Sequence, residues 1–231
     1  MKPAQFVYDM KDAGITSFYK VEDGMRKYYD VNTKEYIVIP GTEEILSIAN
    51  LKETNTVWSN SDTSIIDLGD GILNVEFHSK MNTIGGEVLA GINKAIDMAE
   101  TDAKYKGVVI SNEGENFSVG ANVGLIFMMA VEQEYDELDY AIRAFQNTMM
   151  RARYSNIPVV VAPHGMTLGG GCELCLHADK VIANAETYIG LVEFGVGLIP
   201  GGGGTKEFAL RTSDEFSEGD IRTNTLRNKF L

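Results

Sequence analysis

From Ser64 onward the spacing of apolar positions alternates between two periods. "SIIDLGDGILNVEFH" holds two short apolar runs around Gly69-Asp70-Gly71, which predicts two strands joined by a turn. "GGEVLAGINKAIDMAE" then sets Val88, Leu89, Ile92, Ala95, Ile96 and Ala99 at helical spacing. "KGVVISNE" predicts a short buried strand. "DELDYAIRAFQNTMMRARYS" predicts an amphipathic helix through Leu138, Ala141, Ile142, Phe145, Met149 and Ala152. A strand in "IPVVVAPHG", a helix opening at "GGCELCLHA" and a strand in "DKVIANA" follow. Strands alternating with helices predict an α/β layer fold rather than a bundle or sandwich.

The first sixty residues have a different texture. Residues 1–40 scatter aromatics in a broken pattern and read as short strands with turns at Asp23-Gly24 and Asn32-Thr33. They carry too little apolar content for a domain of their own. Residues 41–63 are rich in Thr, Ser and Asn and read as a linker, with a short helix at Glu43–Ala49. At the other end, "SDEFSEGDIRTNTLRNKFL" starts like a helix without a cap, so the expectation is a chain cut at both ends.

Charge narrows the partners. The 231 residues carry a formal net charge of −13, a field that repels nucleic acid and anionic membrane surfaces. The apolar runs "GLIFMMAV" and "IPVVVAP" are too short to span a bilayer, and the N-terminus lacks the apolar centre of a signal peptide. The expectation is a cytoplasmic protein with no nucleic-acid partner and no membrane insertion.

Candidate chemistry sits on three glycine-bearing turns, each after a strand: "NFSVGAN", "GMTLGGGCE" and "FGVGLIPGGGGTKEF". Ligands of α/β sheets tend to sit just beyond strand ends, and glycine there lets backbone N–H groups approach them. Two nucleotide motifs are excluded. "GGGGTK" lacks the Gly-Lys-Ser/Thr ending of a phosphate loop, and "GVGLIP" has proline where a dinucleotide fingerprint needs glycine. No nicotinamide site is expected in this chain. Cys172 and Cys175 form a C-x-x-C pair, but a zinc site needs four ligands, and His78, His164 and His177 lack the spacing to complete one. No metal is expected, and the two cysteines read as buried structural thiols. Glu173 and Glu193 stand out more. Each is a lone carboxylate among apolar neighbours beside a glycine-rich turn, and acid–base work needs two groups whose environments separate their pKa values.

Taken together, "ENFSVGAN", "GMTLGGGCEL" and "VEFGVGLIPGGGGT" resemble the motifs of the crotonase (enoyl-CoA hydratase/isomerase) superfamily over residues 64–210. The resemblance implies a crotonase-like ββα superhelix, truncated at its C-terminal side, over residues 64–231. It implies that Glu173 and Glu193 are the catalytic pair and that Val119 and Gly170 donate the two N–H groups of an oxyanion hole. The resemblance also implies that Gly201, at a helix start, faces the reacting water. By the same resemblance, Lys80, Gly120, Ala121 and Asn122 would contact coenzyme A. Asn122 replaces the family's aspartate, Val119 its alanine, and His164 its asparagine; packing or a turn hydrogen bond is the reading for His164. Phe127, Met128, Met129 and Tyr188 read as core rather than as determinants of acyl-chain length.

The run from Leu138 to Gly171 further resembles bacterial multifunctional 3-hydroxyacyl-CoA dehydrogenases that carry a hydratase domain. That implies residues 1–40 are the tail of the dehydrogenase portion, whose NAD-binding domain is absent here. The implied function is hydration of trans-2-enoyl-CoA to 3-hydroxyacyl-CoA in fatty-acid β-oxidation, with the acyl-CoA thioester as substrate. No cofactor is expected in this chain, and a homo-oligomer is expected of the full-length protein. The alternatives are an enoyl-CoA isomerase or a non-catalytic association module.

Overall fold

The computed structural model describes residues 2–22, 25–42 and 46–214. The chain divides into two units, Met1–Thr54 and Asn55–Leu231. The first opens with a helix, α1 (Gln5–Asp12), which the aromatic scatter did not predict. A three-stranded antiparallel sheet follows, ordered β1 (Tyr19–Glu22), β2 (Met25–Asp30), β3 (Glu35–Val38). The turn expected at Asn32-Thr33 joins β2 to β3, while the one expected at Asp23-Gly24 lies outside the described residues. Tyr29 and Tyr36 pair across β2 and β3 with ring centroids 5.5 Å apart. Cross-strand aromatic pairs of this kind hold small sheets together.

The stretch read as a linker, 41–63, is structured for much of its length. Its helix, α2 (Ile48–Asn55), starts later than expected, and 43–45 lie outside the described residues. Then Thr56-Val57-Trp58-Ser59 forms β4, which pairs antiparallel with β5 (Thr63–Gly69). β-branched and aromatic residues suit a pleated, half-buried edge, and Trp58 packs on the core, so this Thr-rich run belongs to the sheet.

In the second unit a six-stranded sheet runs β10-β8-β7-β6-β5-β4. Strands β4, β5 and β6 (Ile72–Phe77) are antiparallel neighbours; β6, β7 (Gly107–Ile110), β8 (Val159–Val161) and β10 (Lys180–Val181) are parallel. The central strands read "ILNVEF", "GVVI" and "VVV", nearly continuous apolar runs, as strands covered on both faces require. Helix α3 (Gly86–Thr101) lays Val88, Leu89, Ile92, Ala95, Ile96 and Ala99 on the sheet, the six positions its spacing predicted. Helix α5 (Tyr135–Arg153) departs from its pattern. Met149 and Ala152 are fully buried, but Ala141 and Ile142, about two to three turns earlier, are exposed.

The core joins Ile65, Leu73, Val75, Phe77, Ile92, Ile96, Ile110, Phe117, Val161 and Leu174, all at most 2 % exposed. Each such side chain contributes about 1.5–3 kcal/mol by leaving water. The helical start expected near Ser213 ends a helix instead, α7 (Gly204–Ser213), and 215–231 lie outside the described residues.

Candidate active site

Two loops meet beyond the C-terminal ends of β7 and β8. The first, 116–120, is tied down by asparagines. Buried Asn112 accepts the Phe77 N–H on Oδ1 and donates from Nδ2 to the Phe117 carbonyl at 2.8 Å. Asn116 Oδ1 accepts the Met166 N–H, and Asn82 Nδ2 donates to the Asn116 carbonyl. The second loop leaves β9 (Met166–Leu168) and enters α6 (Gly170–His177). A parallel bridge pairs Ser118 with Thr167: Ser118 N–H donates to Met166, and Leu168 N–H donates to Ser118. The two chains therefore run side by side, and the next residues of each, Val119 and Gly169-Gly170, emerge at one level. Neither the Val119 nor the Gly170 N–H has a hydrogen-bond partner among the described residues. Paired backbone donors left open at a strand end are what an oxyanion site requires.

Glycine is needed for this approach. Gly120 has φ +88°, and a Cβ there would lie 2.8 Å from the Leu168 carbonyl oxygen and 2.9 Å from the Gly170 nitrogen. Gly169 has φ 52° and ψ −117°, and its N–H donates to Gly190 at the end of β11 (Tyr188–Gly190), the parallel partner of β9. That pairing delivers Glu193, three residues past β11, to the same place. A Cβ on Gly169 would lie 3.2 Å from Glu193 Oε1.

Glu173 sits on the first turn of α6 and is only 3 % exposed. Its Oε1 accepts two backbone N–H groups, from Gly202 at 2.8 Å and Gly204 at 2.9 Å. Burial pushes its carboxyl above the usual range. The Gly204 N–H opposes this, the charge of Glu193 adds to it, and the Gly202 N–H opposes it again. Glu193 Oε2 is buried without a hydrogen-bond partner among the described residues. Phe145 of α5 closes one side. A Cβ on Gly170 would lie 2.8 Å from its ring, and one on Gly202 2.4 Å from it.

Of the residues singled out from sequence, the structure gathers Val119, Gly120, Gly170, Glu173 and Glu193 into one place. Lys80 is exposed and opens a 3-10 turn, Lys80–Asn82. That turn reaches the first loop through Ser118 Oγ, which donates to the Asn82 carbonyl, and through Ile84 N–H, which donates to Gly120. Ala121 follows on the same loop. Asn122 is the N-cap of α4 (Val123–Val131), its Oδ1 accepting the Leu125 N–H at 3.2 Å. An asparagine caps a helix as well as the aspartate it replaces. His164 makes a turn contact, Nε2 to the Gly114 carbonyl at 3.0 Å.

Two expectations need correction. Gly201 does not open a helix: α7 starts at Gly204, because Gly202 and Gly204 turn their N–H groups onto Glu173, and the Gly201 carbonyl accepts from Gln146 Nε2. Phe127, Met128 and Tyr188 are not core: the first two, 67 % and 56 % exposed, lie on α4, which buries none of its residues among the described ones, and Tyr188, 70 % exposed, opens the short edge strand β11. Sequence reasoning also missed Phe145, Gly202 and Asn112. The signal for Asn112 was a lone asparagine at the end of an apolar strand.

Cys172 and Cys175 are free and buried, as expected of structural thiols. Burial pushes the Cys172 thiol up to about 12, helped by the charges of Glu173 and Glu193. Among the described residues no three His, Cys, Asp or Glu side chains converge as metal ligands, and no helix is long and apolar enough to cross a membrane. A cavity of about 420 Å³ between α3 and α5 is lined by none of the candidate residues.

The family model described as enoyl-CoA hydratase/isomerase matches residues 67–216, more than half of the chain. The chain belongs to the enoyl-CoA hydratase/isomerase family. Among its relatives is a probable 3-hydroxyacyl-CoA dehydrogenase of Bacillus subtilis, 48 % identical over 206 residues, covering 89 % of this chain and 26 % of that protein. A putative fatty acid oxidation complex trifunctional enzyme of Rickettsia felis is 35 % identical over 178 residues, covering 77 % of this chain and 24 % of that protein. The chain thus spans about a quarter of the length of these relatives. Among solved structures, an enoyl-CoA hydratase of a Polaromonas species is 26 % identical with a TM-score of 0.61, over 72 % of this chain and 67 % of that one. One from Bacillus anthracis is 26 % identical with a TM-score of 0.58, over 65 % and 58 %. The α/β fold with its mixed sheet is the crotonase fold of this enoyl-CoA hydratase/isomerase family.

Proposed function

We propose that this chain hydrates a trans-2-enoyl-CoA to the 3-hydroxyacyl-CoA, within fatty-acid β-oxidation. One observation carries the reading: two carboxylates stand beside two open backbone N–H groups. Water adds its oxygen to C3 while the C2=C3 electron pair shifts toward the thioester, whose oxygen gains negative charge. The Val119 and Gly170 N–H groups bind that oxygen; losing one such donor typically costs about 3–4 kcal/mol of barrier. Glu173 takes a proton from the water. Burial raises its pKa toward that of a proton acceptor, while the Gly202 and Gly204 N–H groups oppose that shift and hold the carboxylate in place. Glu193, whose Oε2 has no hydrogen-bond partner among the described residues, delivers a proton to C2. The division of roles belongs to the pair, since neighbouring carboxylates titrate together.

Double-bond isomerisation is a proton shuttle that runs on one carboxylate, so the presence of both favours hydration. Lys80, Gly120, Ala121 and Asn122 would hold the coenzyme A portion of the substrate. The name of the longer Bacillus subtilis relative supports a dehydrogenase portion elsewhere in the full-length protein, and residues 1–40 would be its tail. The test is loss of enoyl-thioester absorbance with crotonyl-CoA. Wild-type activity that collapses in Glu173→Gln and Glu193→Gln supports the reading; full activity in the double variant overturns it. A 3-enoyl-CoA assay on Glu173→Ala separates hydration from isomerisation, because an isomerase working through Glu193 would survive.

A further inference from the structure

Behind Glu173 lies a charged cluster that the proposed chemistry does not use. Glu207, on the first turn of α7, is fully buried. Arg153, at the end of α5, donates to its Oε2 at 2.6 Å. Lys206 Nζ lies 2.6 Å from Oε1 as a charge contact without hydrogen-bond geometry. His177, at the end of α6 and 1 % exposed, faces the same oxygen with Nε2 at 3.5 Å. Its other nitrogen, Nδ1, lies 2.7 Å from the main-chain carbonyl of Glu173. A carbonyl only accepts, so Nδ1 carries the proton. Burial holds the ring below its usual pKa, ahead of the opposing contacts to Glu173 and Glu207 and the added push of Lys206 and Arg153. The neutral ring therefore turns a bare Nε2 toward a carboxylate oxygen. Two acceptors face each other, which explains why the 3.5 Å contact is no hydrogen bond for either atom.

A buried charge cluster is a poor way to gain stability, because desolvation offsets the attraction. Its position gives it another use. Glu207 belongs to the first turn of α7, directly after the Gly202 and Gly204 N–H groups that grip Glu173, and its side chain ties that turn to Arg153 of α5 and sets it against His177 of α6. The His177 ring lies under that turn: a Cβ on Gly203 would sit 3.3 Å from it. Arg153 pins Glu207 from α5, and His177 pins the backbone of Glu173 within α6. We propose that Glu207 and His177 are positioning residues, which lock the start of α7 against α6 so that its N–H groups hold the Glu173 carboxylate in place. The proposal rests on the reading of Glu173 as the base, but its test does not depend on that reading alone.

The experiment is Glu207→Gln, which keeps the shape and removes the charge that Arg153 holds. With the grip loosened, the N–H groups no longer oppose burial, and the Glu173 carboxyl titrates higher than in the wild-type chain. The acid limb of the kcat/KM profile for crotonyl-CoA should move up with it, kcat should fall roughly 10- to 100-fold as expected of a misplaced group, and KM should stay near wild type. Carbon-13 NMR of the Glu173 carboxyl, assigned by its absence in Glu173→Gln, reads the same shift without substrate. If Glu207→Gln fails to fold, Arg153→Gln, at a half-exposed partner, carries the same prediction. His177→Gln, which keeps a donor, should retain activity that His177→Leu loses. A Glu173 carboxyl titrating at its wild-type pH in a folded Glu207→Gln or Arg153→Gln overturns the proposal. A wild-type chain without hydratase activity would overturn the functional reading and leave the NMR result to decide this one.

Discussion

Gly120→Ala places one methyl group where the two loops touch. At φ +88° an alanine is strained by about 1–2 kcal/mol before any contact is counted. The added carbon would then sit 2.8 Å from the Leu168 carbonyl oxygen and 2.9 Å from the Gly170 nitrogen, both backbone atoms, where ordinary contact begins at 3.4 Å. Backbone cannot rotate aside as a side chain can, so the loops must part by about half an ångström. Gly170 supplies one of the two proposed donors, and the motion carries its N–H off the thioester oxygen. A misplacement of about 1 Å in a reacting geometry costs about 100-fold; half of that predicts a kcat loss of roughly 10- to 100-fold with a small change in KM. Gly69→Ala is the control. It has φ +89° and open space around it, at the far end of the β5–β6 hairpin. It should lose similar stability and keep its kcat. The assay is crotonyl-CoA hydration, with thermal melting to confirm folding. A folded Gly120→Ala chain that keeps more than half of wild-type kcat refutes the placement of the donors.

Other outcomes follow from burial and charge. Glu173→Gln should melt higher than wild type at neutral pH while losing activity. A carboxyl whose folded pKa is raised contributes its stability only in the protonated form, so its ionisation costs stability as pH rises through that value; the gain over wild type should vanish in acid, and a lower melting point at pH 8 would contradict it. Glu100 is held down to about 2 by Arg151 and the Asn156 N–H, so its contribution is present above the usual carboxylate pKa and is lost as pH falls toward 2. Glu100→Gln should cost about 1 kcal/mol at pH 7, with the two melting curves converging near pH 2; a constant gap would count against the pairing. With both thiols pushed up to about 12, Cys172 and Cys175 should resist maleimide at pH 8 in the folded chain and react in denaturant. Rapid labelling of the folded chain would show that they are not buried.

Local pattern carried the second unit well. The six apolar positions of α3 and the two strands around Asp70 appear where their spacing put them, because period reports directly on a buried face. The edges were less legible. Thr56–Ser59 lies in a stretch rich in Thr, Ser and Asn that masks its β-branched and aromatic residues, and it became β4 by pairing with β5. Helix α4 is apolar all round, which reads as core, yet its side chains face outward among the described residues. At the site, glycine turns and lone glutamates pointed to Glu173, Glu193 and the two loops. What sequence could not show was which groups hold them. Gly202 and Gly204 binding Glu173, Asn112 bridging Phe77 to Phe117, and the Phe145 ring against two glycines all join residues far apart in sequence, apart from the Asn112–Phe117 step.

The central claim is that Glu173 and Glu193 act together at one oxyanion site. Single-turnover hydration of crotonyl-CoA in deuterium oxide, followed by the absorbance of the enoyl thioester and by deuterium at C2 of the product, tests it most directly. The account predicts rapid loss of absorbance with one deuterium delivered to C2 in the wild-type chain, and loss of both in Glu173→Gln and Glu193→Gln at unchanged folding. Undiminished hydration in the double variant would contradict it.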